Sequence, residues 1–175
     1  MAAAIALFDE QGYDDTTVAQ IAERAGLTKR TFFRHFPDKR EVLFGGGHEL
    51  ERAWTAAVSA APPDATPLAA VVAGLDPIAE MFVERHAFAR TRARIVDAAP
   101  ELRERELIKL DDLASAIEAA LRERGVSAND ADLAARAGVI VFHAAFARWI
   151  AHDDPAAFRR LIDQSLEDLR SVTAG

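Results

Sequence analysis

The amino-acid sequence predicts an all-α protein of about nine helices. Alanine, leucine, arginine and glutamate dominate the chain, and the alternating runs of β-branched residues that are typical of half-buried strands do not occur. Half of the residues are hydrophobic, which is enough to form a packed core. Side chains that cap helices stand directly before a proline, the usual first residue of a helix, at Thr66-Pro67, Asp76-Pro77 and Asp154-Pro155.

Capping signals and helix breakers divide the chain into two predicted domains, residues 1–45 and 46–175. Thr17 with Gln20, and Asp38 with Glu41, have the spacing of a capping box and mark two of the helix starts. Each of the three glycines 45–47 weakens a helix by about 0.5–1 kcal/mol, so we expect a hinge, or a break between two separate helices, at this point. The predicted helices are residues 1–11, 17–24, 28–35, 38–60, 67–75, 77–97, 100–124, 129–152 and 155–172.

The composition excludes several classes of protein. The chain has no cysteine, which excludes disulfide frameworks, zinc fingers and iron–sulfur clusters. No apolar stretch approaches the roughly 18–20 residues of a membrane span, and no export signal is visible, so we expect a cytoplasmic protein. No metal-ligand spacing, glycine-rich phosphate loop or nucleophile elbow occurs. We therefore expect neither an enzyme nor a bound metal or cofactor.

Positive charge is concentrated in one short segment of an acidic chain. The formal net charge is −7. Residues 28–40 nevertheless contain five basic residues and one acidic residue, a net of +4. A chain average can hide such a local patch, and this one is short enough to meet the phosphates of a nucleic acid.

Residues 17–36 have the pattern of a helix-turn-helix. A short helix ends at Gly26, and Thr28 caps a second short helix, the arrangement in which the second helix enters the major groove of DNA. Apolar residues of the three N-terminal helices, Ile5, Phe8, Val18, Ile21, Ala22, Ala25, Leu27, Phe32 and Phe36, are spaced to form one small core. Lys29, Arg30, Thr31 and Arg34 then face outward, and the residues alone also allow a solvated basic helix with no DNA partner.

The run FDEQGYDDTTVAQIAERAGLTKRTFFRHFPDKREVL resembles the DNA-binding domain of the TetR family of transcriptional regulators. The resemblance implies a homodimer that binds a palindromic double-stranded DNA operator and, in most members, a repressor that a small molecule releases. It assigns base reading to Thr28, Lys29, Arg30, Thr31 and Arg34, and phosphate contacts to Thr17, His35 and Lys39. Phe33 belongs to the same DNA-binding surface, but it stands where many members have a tyrosine whose hydroxyl contacts phosphate. A regulator controlled by a protein partner, or an architectural protein, remains an alternative.

The larger domain is expected to bind an effector and to dimerise. Bulky residues on helices that should surround a cavity are Trp54, Met81, Phe82, His86, Phe142, His143 and Phe146, although aromatic stripes at helical spacing are also typical of plain core. The last two helices are apolar enough to form half of a four-helix bundle across a two-fold axis, with Val139, Trp149, Phe158, Ile162 and Leu169 at the interface.

The effector itself is expected to be hydrophobic or amphipathic. The stretch FARTRARIVDAAPELRERELIKLDDLASAIEAALRERGV resembles the subgroup that contains the mycofactocin-system regulator, some members of which respond to long-chain acyl-CoA. An anionic head group of that kind could bind the arginines 85, 90, 92 and 94, although arginines on a solvated helix face are commoner.

Overall fold

The computed structural model describes residues 1–174, and within them the chain is all-α, as predicted. Eleven α-helices and one short 3-10 turn follow one another without a strand in the described residues. The helices are α1 Ala2–Gln11, α2 Val18–Arg24, α3 Lys29–His35, α4 Glu41–Phe44, α5 Gly47–Ala60, α6 Pro67–Ala73, α7 Asp76–Val83, α8 His86–Ala98, α9 Pro100–Glu123, α10 Ala128–Ala151 and α11 Phe158–Thr173, with the 3-10 turn Pro155–Ala157 before α11.

Two helices that the sequence predicts as continuous are broken. The predicted helix 38–60 is two helices, α4 and α5, because Gly45 and Gly46 form a turn between them. Of the two expectations for the glycines, a hinge or a break between separate helices, the structure has the break. The predicted helix 77–97 is α7 and α8, with a turn at Glu84 and Arg85. No proline or glycine marks this second break. A long-range contact lies at this break instead. His86, the first residue of α8, is buried, and its Nε2 lies 3.0 Å from the carbonyl oxygen of Trp149.

The chain forms two compact units, and their boundaries differ from the expected division at residue 45. The first unit contains Met1–Gly47 together with Phe88–Leu107. The second contains His48–Ala87 and the chain from Ile108 onward. The first unit therefore includes most of α8 and the start of α9, which no local signal in the sequence associates with residues 1–45.

The first unit has a core of its own. Phe8 and Phe32 are each 3% exposed, and the ring of Phe8 contacts that of Tyr13 at 5.2 Å between centroids. Residues from α8 and α9 complete this core, which explains why they belong to the unit. Its buried members are Ala4, Ile5, Leu7, Phe8, Tyr13, Ile21, Ala22, Phe32, Val42, Leu43, Phe44, Ile95, Val96, Ala99 and Leu102. Ala25 and Leu27, expected in this core, are exposed instead.

The second unit is built around α10, which packs on α6 and α11. Gly138 is buried on α10, and a Cβ atom there would lie 2.2 Å from Cγ1 of Val71 on α6, so only glycine allows this approach. Among residues 1–174, α10 is the one helix long and apolar enough to cross a membrane, and 44% of its most apolar window is buried. Its packing on α6 and α11 is the arrangement expected of the core helix of a folded unit.

Candidate nucleic-acid interface

The start of α2 is fixed by a capping box. The backbone N–H of Gln20 donates to Oγ1 of Thr17 at 3.3 Å, and the backbone N–H of Thr17 donates to Oε1 of Gln20 at 2.8 Å. Two N–H groups at the helix start thus receive partners from residues three positions apart. The capping box that the spacing predicts is present, and it places Thr17 at the exposed N-terminus of α2.

The turn between α2 and α3 depends on Gly26. This residue has a φ of +66°, in the left-handed region that L side chains rarely adopt. The N–H of Leu27 donates to the carbonyl of Ala22 at 2.8 Å, and the N–H of Gly26 donates to the carbonyl of Glu23 at 3.0 Å. These bonds form a Schellman motif, which ends α2 and turns the chain sharply into α3.

Two of the residues expected to read bases also hold the start of α3. Oγ1 of Thr28 accepts the backbone N–H of Thr31 at 3.1 Å, and the two threonine hydroxyls lie 3.0 Å apart. Thr31 is half-buried as well. The hydroxyls of Thr28 and Thr31 are therefore bonded to each other at the start of α3.

The outward face of α3 is cationic with one exposed ring. Lys29, Arg30, Arg34 and His35 are exposed, and Nη2 of Arg34 lies 3.4 Å from Nε2 of its neighbour His35. Phe33 is 53% exposed, whereas Phe32 is buried and Phe36 half-buried, with ring centroids 5.5 Å apart. The Thr28 cap and the Phe32 anchor thus present a fixed positive helix face.

Lys39, assigned to phosphate contact, is held inside the first unit. Its ammonium group donates to the carbonyls of Tyr13, Asp14 and Thr16 at 2.8, 3.3 and 3.2 Å, and lies 4.1 Å from the centroid of the Tyr13 ring. An ammonium group has three N–H donors, so all of them are engaged. Lys39 in this structure holds the loop before α2, and its contact with phosphate stays a prediction.

The phenol of Tyr13 extends this anchored loop toward α9. Burial raises the pKa of Tyr13 far above its usual value, and a hydrogen bond to the carboxylate of Glu101 raises it further. The group is therefore protonated and a donor throughout the physiological range. Lys39, Tyr13 and Glu101 together tie the loop that precedes Thr17 to the first turn of α9.

Two ion pairs lie around the candidate interface. Arg24 on α2 pairs with Glu10 on α1 through two hydrogen bonds, which hold the pKa of the Glu10 carboxyl below its usual value. Arg40 pairs with Asp38 at 2.7 Å. Burial opposes ionisation of Asp38, yet the bonds from Arg40 and from the N–H of Glu41 leave its pKa lowered.

The short helix α4 is held by two arginines from the 88–107 segment. Nε of Arg105 lies 2.6 Å from Oε1 of Glu41, at the start of α4. Nε of Arg92 donates at 2.8 Å to the carbonyl of Leu43, at the end of α4, and its other nitrogens bind Glu106 at 2.5 and 3.1 Å. Four residues could not form a stable helix alone, so these contacts stabilise α4. They also show that Arg92 is not available as a free anion site.

The other arginines of that suggested cluster have partners too. Arg85 pairs with Glu49 at 3.0 Å, and Arg94 pairs with Asp9 at 3.1 Å. Arg94 and Asp9 belong to the first unit, whereas Arg85 and Glu49 belong to the second. Arg85 and Arg94 therefore each have a carboxylate partner within their own unit.

Five of the seven expected effector residues belong to one aromatic cluster in the second unit. The ring of Phe82 contacts those of Phe142 and Phe146 at 6.3 and 5.8 Å, and Trp54 contacts Phe142 at 5.5 Å. His86 is 7% exposed and lies 4.5 Å from the ring of Trp149. Met81 is half-buried on α7, beside Phe82. His143 is exposed and does not belong to the cluster, because it lies on the other face of α10.

The rings of this cluster contact one another directly. Trp149 and Phe158 are stacked at 4.8 Å, and Nε1 of Trp149 donates to the carbonyl of Pro155 at 2.8 Å. Nε1 of Trp54 donates to the carbonyl of Val71 at 2.8 Å. The indole nitrogens of both tryptophans thus have protein partners.

Four of the five residues expected at a dimer interface are buried within the second unit. Trp149, Phe158 and Ile162 are fully buried and Val139 is 8% exposed, so none of them can form the surface that a partner covers. Their stripes face inward, because α10 and α11 pack against each other. Leu169 is half-buried and lines a surface groove of about 200 Å³ between the two helices, with Ile140, Val141, Ala144, Arg148, Ser165, Asp168 and Val172.

The residues that sequence reasoning missed are two apolar ones on the outside of α10. Leu133 and Ile140, seven residues apart on α10, are 59% and 58% exposed, and Val172 on α11 is 80% exposed. The signal that could have found them is the second, narrower stripe of α10, since a seven-residue spacing returns to the same face. Within residues 1–174 no group of three or more histidine, aspartate or glutamate side chains could hold a metal ion.

Comparison with known proteins matches the N-terminal residues most specifically. The profile of bacterial regulatory proteins of the tetR family matches residues 1–44. The HTH-type transcriptional regulator TcmR of Streptomyces glaucescens is 44% identical over 68 residues, which are 39% of this chain. The chain spans only 30% of the length of that relative.

Solved structures match over nearly the whole chain. The TetR-family transcriptional regulator PfmR from Thermus thermophilus is 25% identical, with a TM-score of 0.50 over 94% of both chains. A structure described as a putative TetR-family regulator from Mesorhizobium loti is 22% identical, covers 98% of this chain and 93% of its own, and has a TM-score of 0.56, which supports the fold. The likeness to the mycofactocin-regulator subgroup stays a prediction.

Proposed function

We propose that this chain is a sequence-specific DNA-binding transcriptional regulator of the TetR family, a proposal that the match of residues 1–44 to that family supports. The geometry of α2, its turn and α3 carries this proposal. Capped ends, a glycine-dependent turn and a buried Phe32 fix α3 so that Lys29, Arg30 and Arg34 face outward. Cations of this kind bind guanine edges and phosphates in the major groove.

The acidic remainder of the chain is consistent with this role. The net charge is −7, while residues 28–40 carry a net +4. Negative charge elsewhere repels DNA, and it therefore favours approach through the one positive face. In a dimer, the two copies of α3 would bind two half-sites about one helical turn of DNA apart. The operator is therefore expected to be palindromic.

The protein partner with which this chain binds its operator is a second copy of the same chain. Ile140 and Val172 are exposed apolar residues that line the groove between α10 and α11, and Leu133 is exposed on the same face of α10 as Ile140. Large exposed apolar patches mark interaction sites. A two-fold axis across this surface would bury the same residues of both copies and pair α10 and α11 as a four-helix bundle.

Release by a small hydrophobic molecule would act through the aromatic cluster around Phe82 and His86. The cluster offers large apolar rings and one buried polar side chain, which is the composition of a typical ligand site. A ligand would have to displace rings that contact one another at 4.5–6.3 Å, so binding would be coupled to a rearrangement of α7 and α10. The sign of regulation that fits such release is repression.

The same packing supports an alternative, a DNA-binding regulator without a small-molecule effector. Both indole N–H groups of the cluster already have protein acceptors. A thermal-shift screen of hydrophobic and acyl-CoA compounds on the full chain distinguishes a regulator with a small-molecule effector from one without. A ligand that binds the folded state raises Tm. Compounds that raise Tm should also release DNA if effector control is correct.

The experiment that tests the main proposal is selection of bound duplexes from a random library by the full chain, followed by anisotropy titrations. We expect an enriched palindromic site. Arg30→Ala should lose about 1–3 kcal/mol of discrimination between that site and a scrambled duplex. The matched control is Arg160→Ala, an exposed arginine on α11, which should leave discrimination unchanged. A library that yields no enriched sequence would overturn the proposal.

A further inference from the structure

Two adjacent phenylalanines of α3 have opposite environments. Phe32 is 3% exposed and packs against Phe36, whereas Phe33 is 53% exposed. The ring of Phe33 contacts that of Phe32 edge-on, at 5.5 Å between centroids and 88° between planes. Phe33 therefore rests with one edge on an anchored ring, and more than half of its surface is left for a partner.

Phe33 lies in the middle of the cationic face of α3. Lys29 is four positions and Arg30 three positions before it, the spacings that bring side chains together on one side of a helix. A helix face that combines an apolar ring with exposed cations does not match a purely apolar partner surface. It is suited to a surface that offers negative charge on its edges and apolar groups within reach, and the DNA major groove is such a surface.

The chemistry of the ring narrows what it can contact there. Phenylalanine has no hydrogen-bonding group, so it can bind neither a phosphate oxygen nor the polar atoms of a base edge by donation. The one apolar group that base pairs present in the major groove is the C5-methyl of thymine, and phenylalanine is among the side chains that contact it.

We propose that Phe33 is a specificity-determining residue that reads a thymine through its C5-methyl group. The inference rests on the proposed DNA-binding function and adds a base identity to it. Each half-site of the operator contains one thymine whose methyl group packs against the Phe33 ring. Lys29 and Arg30, on the same face, bind the neighbouring base edges or phosphates and hold α3 at that position.

The test uses duplexes selected from a random library by the full chain. Each thymine of the selected site is replaced in turn by deoxyuridine, which removes the methyl group and leaves every hydrogen-bonding atom. We expect one thymine per half-site at which the loss weakens binding by roughly fourfold, the change that corresponds to one buried methyl-sized group. The same substitution should have no effect on Phe33→Ala, because that variant has no ring to contact the methyl.

Three controls separate the outcomes. Phe33→Tyr keeps the ring and should keep the response to deoxyuridine. Leu107→Ala removes a side chain that is 65% exposed in the same unit but outside α3, and it should also keep the response. Circular dichroism checks that the variants remain folded, as the exposure of both residues leads us to expect.

Failure of this inference and failure of the proposed function have different signatures. Selective binding in which no deoxyuridine substitution matters, or in which the response persists in Phe33→Ala, overturns the role of Phe33 and leaves the regulator intact. A selected site without a thymine common to both half-sites also overturns it. A library with no enriched sequence refutes the proposed function, and the role of Phe33 with it.

Discussion

Replacing Gly138 by alanine is expected to destabilise the second unit. The added Cβ would lie 2.2 Å from Cγ1 of Val71, where carbon atoms normally stay about 3.5–4.0 Å apart, so α10 and α6 would have to separate by more than about 1 Å. Val71 and Trp54, which surround the position, are both 0% exposed, so neither side chain can move into solvent. The new methyl group must therefore be accommodated by moving the helices.

The magnitude follows from two opposing contributions. Overpacking of a close-packed core costs about 1–3 kcal/mol, and alanine in place of a helical glycine recovers about 0.5–1 kcal/mol. We expect a net loss of about 1–2 kcal/mol in the free energy of unfolding, which lowers Tm by roughly 2–8 °C for a chain of this size.

The assay is thermal and urea unfolding followed by circular dichroism. Gly46→Ala is the matched control, because a Cβ at Gly46 meets nothing within 4 Å and should leave Tm nearly unchanged. Val71→Ala removes the obstructing Cγ1, so Gly138→Ala should cost less in that background than in the natural chain. A Gly138→Ala variant that is as stable as the natural protein, or equally destabilised in both backgrounds, would refute the packing argument.

Three further predictions concern the loop, the turn and the dimer. Lys39→Met should lower Tm and weaken binding to all duplexes alike, because the loop before α2 loses three hydrogen bonds. An unchanged Tm would contradict this, and a salt dependence of DNA binding that is weaker by about 1 in its log–log slope would then indicate a plain phosphate contact. Gly26→Ala should cost about 1–2 kcal/mol by urea unfolding, since its φ of +66° is strained for an L residue although the space is open, and full stability would contradict this. Ile140→Asp should convert a dimer to a monomer by light scattering, whereas Leu107→Asp should not; a natural chain that is already monomeric would contradict the proposed interface.

The features that the sequence predicts best are those with local causes. The caps at Thr17 and Thr28 and the turn at Gly26 depend on residues within about five positions, and the structure has all three. The all-α fold follows in the same way from composition and capping. The outward direction of Arg30 follows from the burial of Phe32, which lies two positions later on nearly the opposite side of α3.

The features that the sequence does not predict depend on distant contacts. The stripe containing Phe158 and Ile162 indicates that α11 buries one face, but it does not say whether a partner or α10 covers that face. Lys39 looks like any exposed lysine until the carbonyls of residues 13–16 are brought to it by the fold. Gly138 gives no local signal, because its requirement comes from Val71, sixty-seven residues earlier.

The most direct measurement is a salt-series anisotropy titration of the full chain against its selected duplex and a scrambled duplex. If the proposed dimer neutralises roughly six phosphates, the logarithm of the binding constant should fall with the logarithm of salt concentration with a slope of about −5. The account predicts tight binding of two chains to the selected duplex and much weaker binding to the scrambled one. Equal, weak binding to both, at every salt concentration, would contradict a sequence-reading role for α3.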